Sequence, residues 1–283
     1  KKTYAIIAPS FVGQFGPNVS PEQTREAIKK LGFDEVIEVG LGADLTTMNE
    51  AHEYLEEVPS GKIPFMGTSC CFSWKMMVRK QFPEINDYIS ESSTPMIYTG
   101  LQLKKKDPNS KITFIGPCIS KKLEALEPDV AEVIDFVITF EELLGMFLAK
   151  GIEPSEIEVE DQMMDASETG RTYAVSGGVA QAVVKRAQEI RPGIKVDVEN
   201  AEGLANCVKL AQLAKLGKMD GKLIEGMACE GGCVGGPGTV VARNKTGKAV
   251  KAFAKESVFK SPADNTNIPD KDKPDDEKLK VSE

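Results

Sequence analysis

The chain has 283 residues, 41% of them hydrophobic and 28% charged, a globular balance that excludes wholesale disorder. Lys and Arg total 35 against 43 Asp and Glu, a net charge of -8, and the lone basic run, Lys104-Lys105-Lys106, is too short a footprint for nucleic acid. No apolar stretch reaches the roughly 18 to 20 residues of a membrane span and no charged-then-apolar leader opens the chain, so no membrane partner and a cytoplasmic setting are expected.

Residues 4–8 read as a buried strand stopped by Pro9. Ser20, with Pro21 and Gln23, forms a capping box for a helix that Gly32 ends. A strand at 35–39, a helix over 46–57 and a strand at 63–66 follow. An amphipathic helix over 73–82 is closed by Pro83, and a helix over 94–105 leads to a strand at 112–115. Next come a strand at 133–138 and a helix opened by the capping box of Thr139 and Glu142 and closed near Gly151. The acidic stretch 153–168 reads as a solvated insertion. Beyond it lie strands at 172–175, 194–198 and 223–226, with helices at 179–190, 204–216 and 248–259. From 261 to 283 the composition turns to Pro, Asp, Lys and Asn and predicts a disordered polar tail behind a domain of residues 1–260.

Alternating strands and helices predict an α/β fold with mainly parallel sheets flanked by helices, and the length allows one large domain or two lobes around a cleft. Ligands in such folds sit beyond the carboxyl ends of strands. Cys70, Cys118 and Cys229 each follow a predicted strand, so one crevice can gather them.

The 6 cysteines are too few for a disulfide scaffold in a chain this long, and His52 is the single histidine, which leaves little for a His-based zinc site or a Ser-His-Asp hydrolase. Four thiolates are what a cubane iron–sulfur cluster needs, because soft sulfur suits iron. Cys229 and Cys233 lie in a glycine-rich run, Cys118 in Gly116-Pro117-Cys118-Ile119-Ser120-Lys121, and Cys70-Cys71 after Gly67-Thr68-Ser69. Adjacent residues in extended chain point opposite ways, so one of the tandem pair joins the site and the other stands beside it. Cys207, alone on a predicted helix, reads as a core residue.

These three segments, with Ala8-Pro9-Ser10 and Ala43-Asp44-Leu45-Thr46, resemble the signature motifs of the [FeFe]-hydrogenases over essentially all of residues 1–260. The resemblance implies two lobes with a metal cluster in the cleft between them, where Cys71, Cys118, Cys229 and Cys233 hold a [4Fe–4S] cubane. Cys233 would bridge it to a di-iron subsite carrying CO, cyanide and azadithiolate, together the H-cluster that interconverts protons and dihydrogen. Ser10 and Lys121 would donate to the cyanides, with Ala8, Pro9 and Met227 shaping the surroundings. Cys70, Glu50, Ser90 and Glu53 match the family's proton-transfer residues. A thiol and carboxylates serve in that role once their surroundings shift their pKa values.

Several positions depart from the family pattern. Phe72-Ser73 replaces Pro-Gly, Gly116 a methionine, and Thr94-Pro95-Met96 a Ser-Pro-Gln. Pro237 interrupts a glycine run, and Glu56 and Glu57 stand where a basic residue ends the proton path. Such changes imply slow turnover and the sensory subgroup. The resemblance further implies maturation proteins and an external or missing-domain iron–sulfur electron donor, because no ferredoxin-like cysteine set is present. The chain opens at Lys1 directly on its first strand and is expected to be a piece of a longer protein. The competing readings are an iron–sulfur assembly or carrier protein that binds only a [4Fe–4S] cluster, and a structural zinc module; the absence of Cys-x2-Cys knuckles opposes the latter.

Overall fold

The computed structural model describes residues 1–279. Its strands are β1 (Thr3–Ile7), β2 (Glu35–Glu38), β3 (Met66–Gly67), β4 (Lys111–Ile115), β5 (Phe136–Ile138), β6 (Asp197–Glu202) and β7 (Lys222–Met227). They form two sheets, ordered β2-β1-β4-β5 and β3-β7-β6, and every pairing is parallel. Residues 4–7 of β1 are buried on both faces, as a central strand covered by helices requires, with Ala5 opposite Val36 on one side and Thr113 on the other.

Between the strands run α1 (Pro21–Lys30), α2 (Gly40–Glu57), α3 (Phe72–Gln81), α4 (Pro95–Lys106), α5 (Ser120–Glu124) and α6 (Pro128–Ala131). The second half adds α7 (Phe140–Lys150), α8 (Glu168–Thr172), α9 (Gly178–Ile190), α10 (Leu204–Lys215) and α11 (Arg243–Lys255). Both expected capping boxes form: Ser20 with Gln23 opens α1, and Thr139 with Glu142 opens α7, which ends at Gly151 with φ 64°. The helix expected from 46 already begins at Gly40, directly after β2. There Gly42 lets α2 lie against α4, because a Cβ would stand 2.1 Å from the Pro95 carbonyl oxygen. The fully buried Glu225 of β7 accepts from the backbone N–H groups of Gly177 and Ala180 at 2.7 Å each, and so caps α9 from the neighbouring sheet.

Three expectations are corrected. Residues 172–175, expected as a strand, are the end of α8 and the turn after it. Ser167 caps that helix, and Arg171 turns inward to make a two-pronged ion pair with the buried Glu38 at 2.8 and 2.7 Å, which extended backbone would not allow. The acidic stretch 153–168 is solvated only in part, since Met163, Ala166 and Ser167 are buried. The tail from 261, expected to be disordered, packs through Leu279, with Ile268 and Leu279 in hydrophobic contacts along α2. Residues 280–283 of that expectation lie outside the described residues.

Candidate metal centre

Loops leaving the carboxyl ends of strands in both sheets build the site. The chain leaves β1 at Ala8, whose N–H donates to Ile115 O at 2.8 Å, and turns through Pro9 into a short 3-10 segment that buries Ser10 completely. It leaves β4 through Gly116 and Pro117 to Cys118, directly before α5. From the other sheet, β3 leads through Thr68 and Ser69 to Cys70, and Cys71 is the residue that opens α3. The loop after β7 carries Cys229 and Cys233. Gly231 and Gly232 between them adopt φ of 83° and 85°, and a Cβ on Gly232 would lie 2.6 Å from Ser176 N, so this turn requires glycine.

These loops surround a cavity of about 70 Å³ lined by Ala8, Pro9, Ser10, Cys70, Cys71, Lys121, Met227 and Cys233. Cys118 and Cys229 do not line it, yet Cys118 acts electrostatically on Cys71, Cys229 and Cys233. Burial first, then the neighbouring thiols, raises the pKa of Cys233 strongly and pushes Cys229 up to about 11. Burial raises Cys71 as well, against hydrogen bonds from the Ala228 and Trp74 backbones. Thiols that disfavour their own ionisation side by side are suited to a positive counterpart, which metal supplies by displacing the protons. Among the described residues no three His, Cys, Asp or Glu side chains are gathered as for a single metal ion. A cubane instead takes one thiolate at each corner of a body several ångströms across.

Two polar side chains fit a second inorganic group in the cavity. Ser10 Oγ is buried without a hydrogen-bond partner, a costly arrangement unless something beyond the protein atoms uses it. Lys121, also buried, lines the same cavity and ion-pairs with Glu124, which also accepts from Thr94 Oγ1 at 2.8 Å. Burial lowers the Lys121 pKa, but the Glu124 carboxylate and the Cys118 and Cys70 sulfurs outweigh it and hold the ammonium above the ordinary lysine value. A cation fixed at the wall of an apolar cavity attracts anionic ligands.

Cys70 leads away from the cavity toward α2. Burial and the Glu50 charge push its thiol well up. Glu50 Oε1 accepts from Ser69 N at 2.6 Å, while Oε2 is buried and unpartnered. Burial raises its pKa to about 7. Ser90 Oγ donates to Glu53 Oε2, and burial raises Glu53 also. Farther along α2, Glu57 ion-pairs with Lys62, whose charge also acts on Glu53. Glu50 and Glu53 face each other electrostatically, so one turn of α2 carries two acids reluctant to ionise.

Sequence reasoning missed several wall residues. Phe114 lines the cavity, and its ring would stand 2.6 Å from a Cβ on Gly116. The aromatic side chain thus fills space freed by the missing side chain at 116. Tyr173, buried, donates to or accepts from Thr47 Oγ1 at 2.7 Å and closes another wall. Its place in a presumed strand hid it. Glu124, three residues after Lys121 and so on the same face of α5, was legible as a partner but was not singled out. Cys207 is buried, with its sulfur 3.4 Å from Met227 O, and is no part of the site.

The fold and the thiol-lined cleft define the iron-only hydrogenase class: the sequence model of the iron only hydrogenase large subunit, C-terminal domain, matches residues 1–237, and the chain belongs to that family. It is 30% identical over 276 residues to Iron hydrogenase 1 of Clostridium pasteurianum, covering 83% of this chain and 48% of that protein. It is 25% identical over 272 residues to the cytosolic Fe-S cluster assembly factor narfl of Xenopus tropicalis, covering 78% of this chain and 57% of the relative. The chain thus spans about half the length of these curated relatives. Its backbone is similar to that of a variant of the [FeFe]-hydrogenase HydA1 from Chlamydomonas reinhardtii, with TM-score 0.77 and 24% identity over 94% of this chain and 88% of the other. No helix among the described residues is long and apolar enough to cross a membrane.

Proposed function

We propose that residues 1–260 form an H-cluster domain that interconverts protons and dihydrogen slowly and serves as a hydrogen sensor. Cys71, Cys118, Cys229 and Cys233 would hold the [4Fe–4S] cubane in this reading, with Cys233 also serving a di-iron subsite that carries CO, cyanide and azadithiolate ligands. When bound, that assembly supplies the redox chemistry at which protons and electrons meet. The protein's own work is to hold it, exclude water and carry protons. Ser10 Oγ and Lys121 Nζ would donate to cyanide, Ala8, Pro9 and Met227 would shape the walls, and Cys70 would exchange protons with Glu50, Ser90 and Glu53. Electrons would come from an external or missing-domain iron–sulfur donor and loading from maturation proteins, in a cytoplasmic setting.

The observation that carries this reading is that the buried, unpartnered Ser10 hydroxyl and the buried Lys121 ammonium line one cavity with Cys70 and Cys233. A cubane carrier needs the thiols but has no use for that polar pair. The carrier reading keeps one support, the similarity to proteins named as Fe-S cluster assembly factors. Infrared spectroscopy of the chain, reconstituted with a cubane and matured with a synthetic di-iron complex, decides between them. Bound CO and cyanide stretches are expected; a loaded cubane without those bands leaves the carrier reading.

A further inference from the structure

The segment from Ser261 onward lies beyond the region matched by the family model, and it follows α2 along most of its length. Asn265, fully buried, donates to Asp44 Oδ2 at 2.8 Å and to Asp165 O at 2.9 Å. Ile268 packs against Leu45 and Met48. Asp272 pairs with Lys105 of α4 at 2.6 Å. Asp276 accepts from His52, the chain's single histidine, at 2.7 Å and ion-pairs with Arg186 of α9. Leu279 ends the run among Ala51, Tyr54 and Leu55, and its carbonyl accepts from Arg191. Contacts thus fall at 44, 45, 48, 51, 52, 54 and 55, bracketing Glu50 and Glu53. Residues two apart on a helix project about 200° apart, so His52 holds the back of the turn whose front presents Glu50.

We propose that residues 261–279 are a strap, with Asn265 and Asp276 as positioning residues that fix α2 and so set the placement of Glu50 and Glu53 in the proton route. This rests on the hydrogenase reading above. Asn265 pins the start of the helix, Asp276 ties its far half to α9, and the apolar side chains between them exclude water from its back. Glu50 keeps its protonated form accessible because α2 is held where water does not reach the carboxyl. A looser helix admits water and lets the acid ionise.

The test uses the full chain with Asn265→Ala, Asp276→Ala and Asp276→Asn. In both alanine variants, amide exchange across residues 49–55 is expected to rise about tenfold or more while β1 and β4 stay protected. Carboxyl titrations of Glu50 and Glu53, followed by carbon-13 NMR in the cluster-free chain, separate positioning from simple support. The Glu50 midpoint should fall toward the ordinary carboxylate range in the alanine variants, with Asp276→Asn intermediate because it keeps an acceptor for His52. After maturation, the pH profile of hydrogen evolution should move the same way. Faster exchange with unmoved titrations, or unchanged exchange, overturns the proposal. Should an alanine variant fail to fold, Asp276→Asn decides on the same readouts. Missing CO and cyanide bands would remove the hydrogenase reading alone, since the titrations in the cluster-free chain still decide whether the strap places these acids.

Discussion

Single side chains here carry free energy that the folded chain does not recover by itself. Glu50, with its pKa raised by burial to about 7 from the ordinary 4.5, binds a proton in the native state over a range where the unfolded chain has released it. Its contribution to stability is therefore complete below pH 4.5 and is lost as pH rises through about 7. Glu50→Gln should stabilise the protein at pH 8 by up to roughly 3 kcal/mol and hardly at pH 4, measured by urea unfolding at both values. The same variant should lower hydrogen evolution by about 10²-fold or more if Glu50 relays protons. Ser10→Ala removes an orphaned hydroxyl, so the cluster-free chain should lose no stability and gain up to about 1 kcal/mol. In matured protein the same change should shift a cyanide stretch, visible in the infrared spectrum.

Elements were legible where their signals are local. The boxes at Ser20 and Thr139 need only residues within one turn, and both helices start where those boxes predict. The strand-end positions of Cys70, Cys118 and Cys229 come from the same alternation, which ties the thiols to one crevice on sequence grounds alone. Residues 172–175 were misread because the deciding partner of Arg171 is Glu38, on a strand 133 positions earlier. The tail was misread because its polar composition hides four well-placed anchors, Asn265, Ile268, Asp276 and Leu279, whose partners lie far away in the sequence, mostly on α2. Gly116 showed a missing side chain but not that Phe114 would fill the gap. The loop between Cys229 and Cys233 makes its own prediction. Gly232→Ala meets both a φ of 85° and backbone at 2.6 Å, so it should reduce iron bound per chain after reconstitution, whereas Cys207→Ala should leave that ratio unchanged.

At the scale of the molecule, the Glu38–Arg171 pair joins β2 to α8, and the guanidinium also donates to Met163 O and Phe253 O and stacks on the Phe253 ring at 3.7 Å. Arg171→Met leaves the Glu38 carboxylate buried without its partner. It should cost about 3–5 kcal/mol in urea unfolding at pH 7, with a smaller loss in Glu38→Gln/Arg171→Met. The division of the thiols between the two sheets has a wider consequence. Cys118 follows the four-stranded sheet, while Cys71, Cys229 and Cys233 follow the three-stranded one. An inorganic body gripped by all four would act as a rivet through both halves, and its affinity would count as cohesion between them. Heat would then part the halves of a metal-free chain first, and the melting temperature would track iron occupancy.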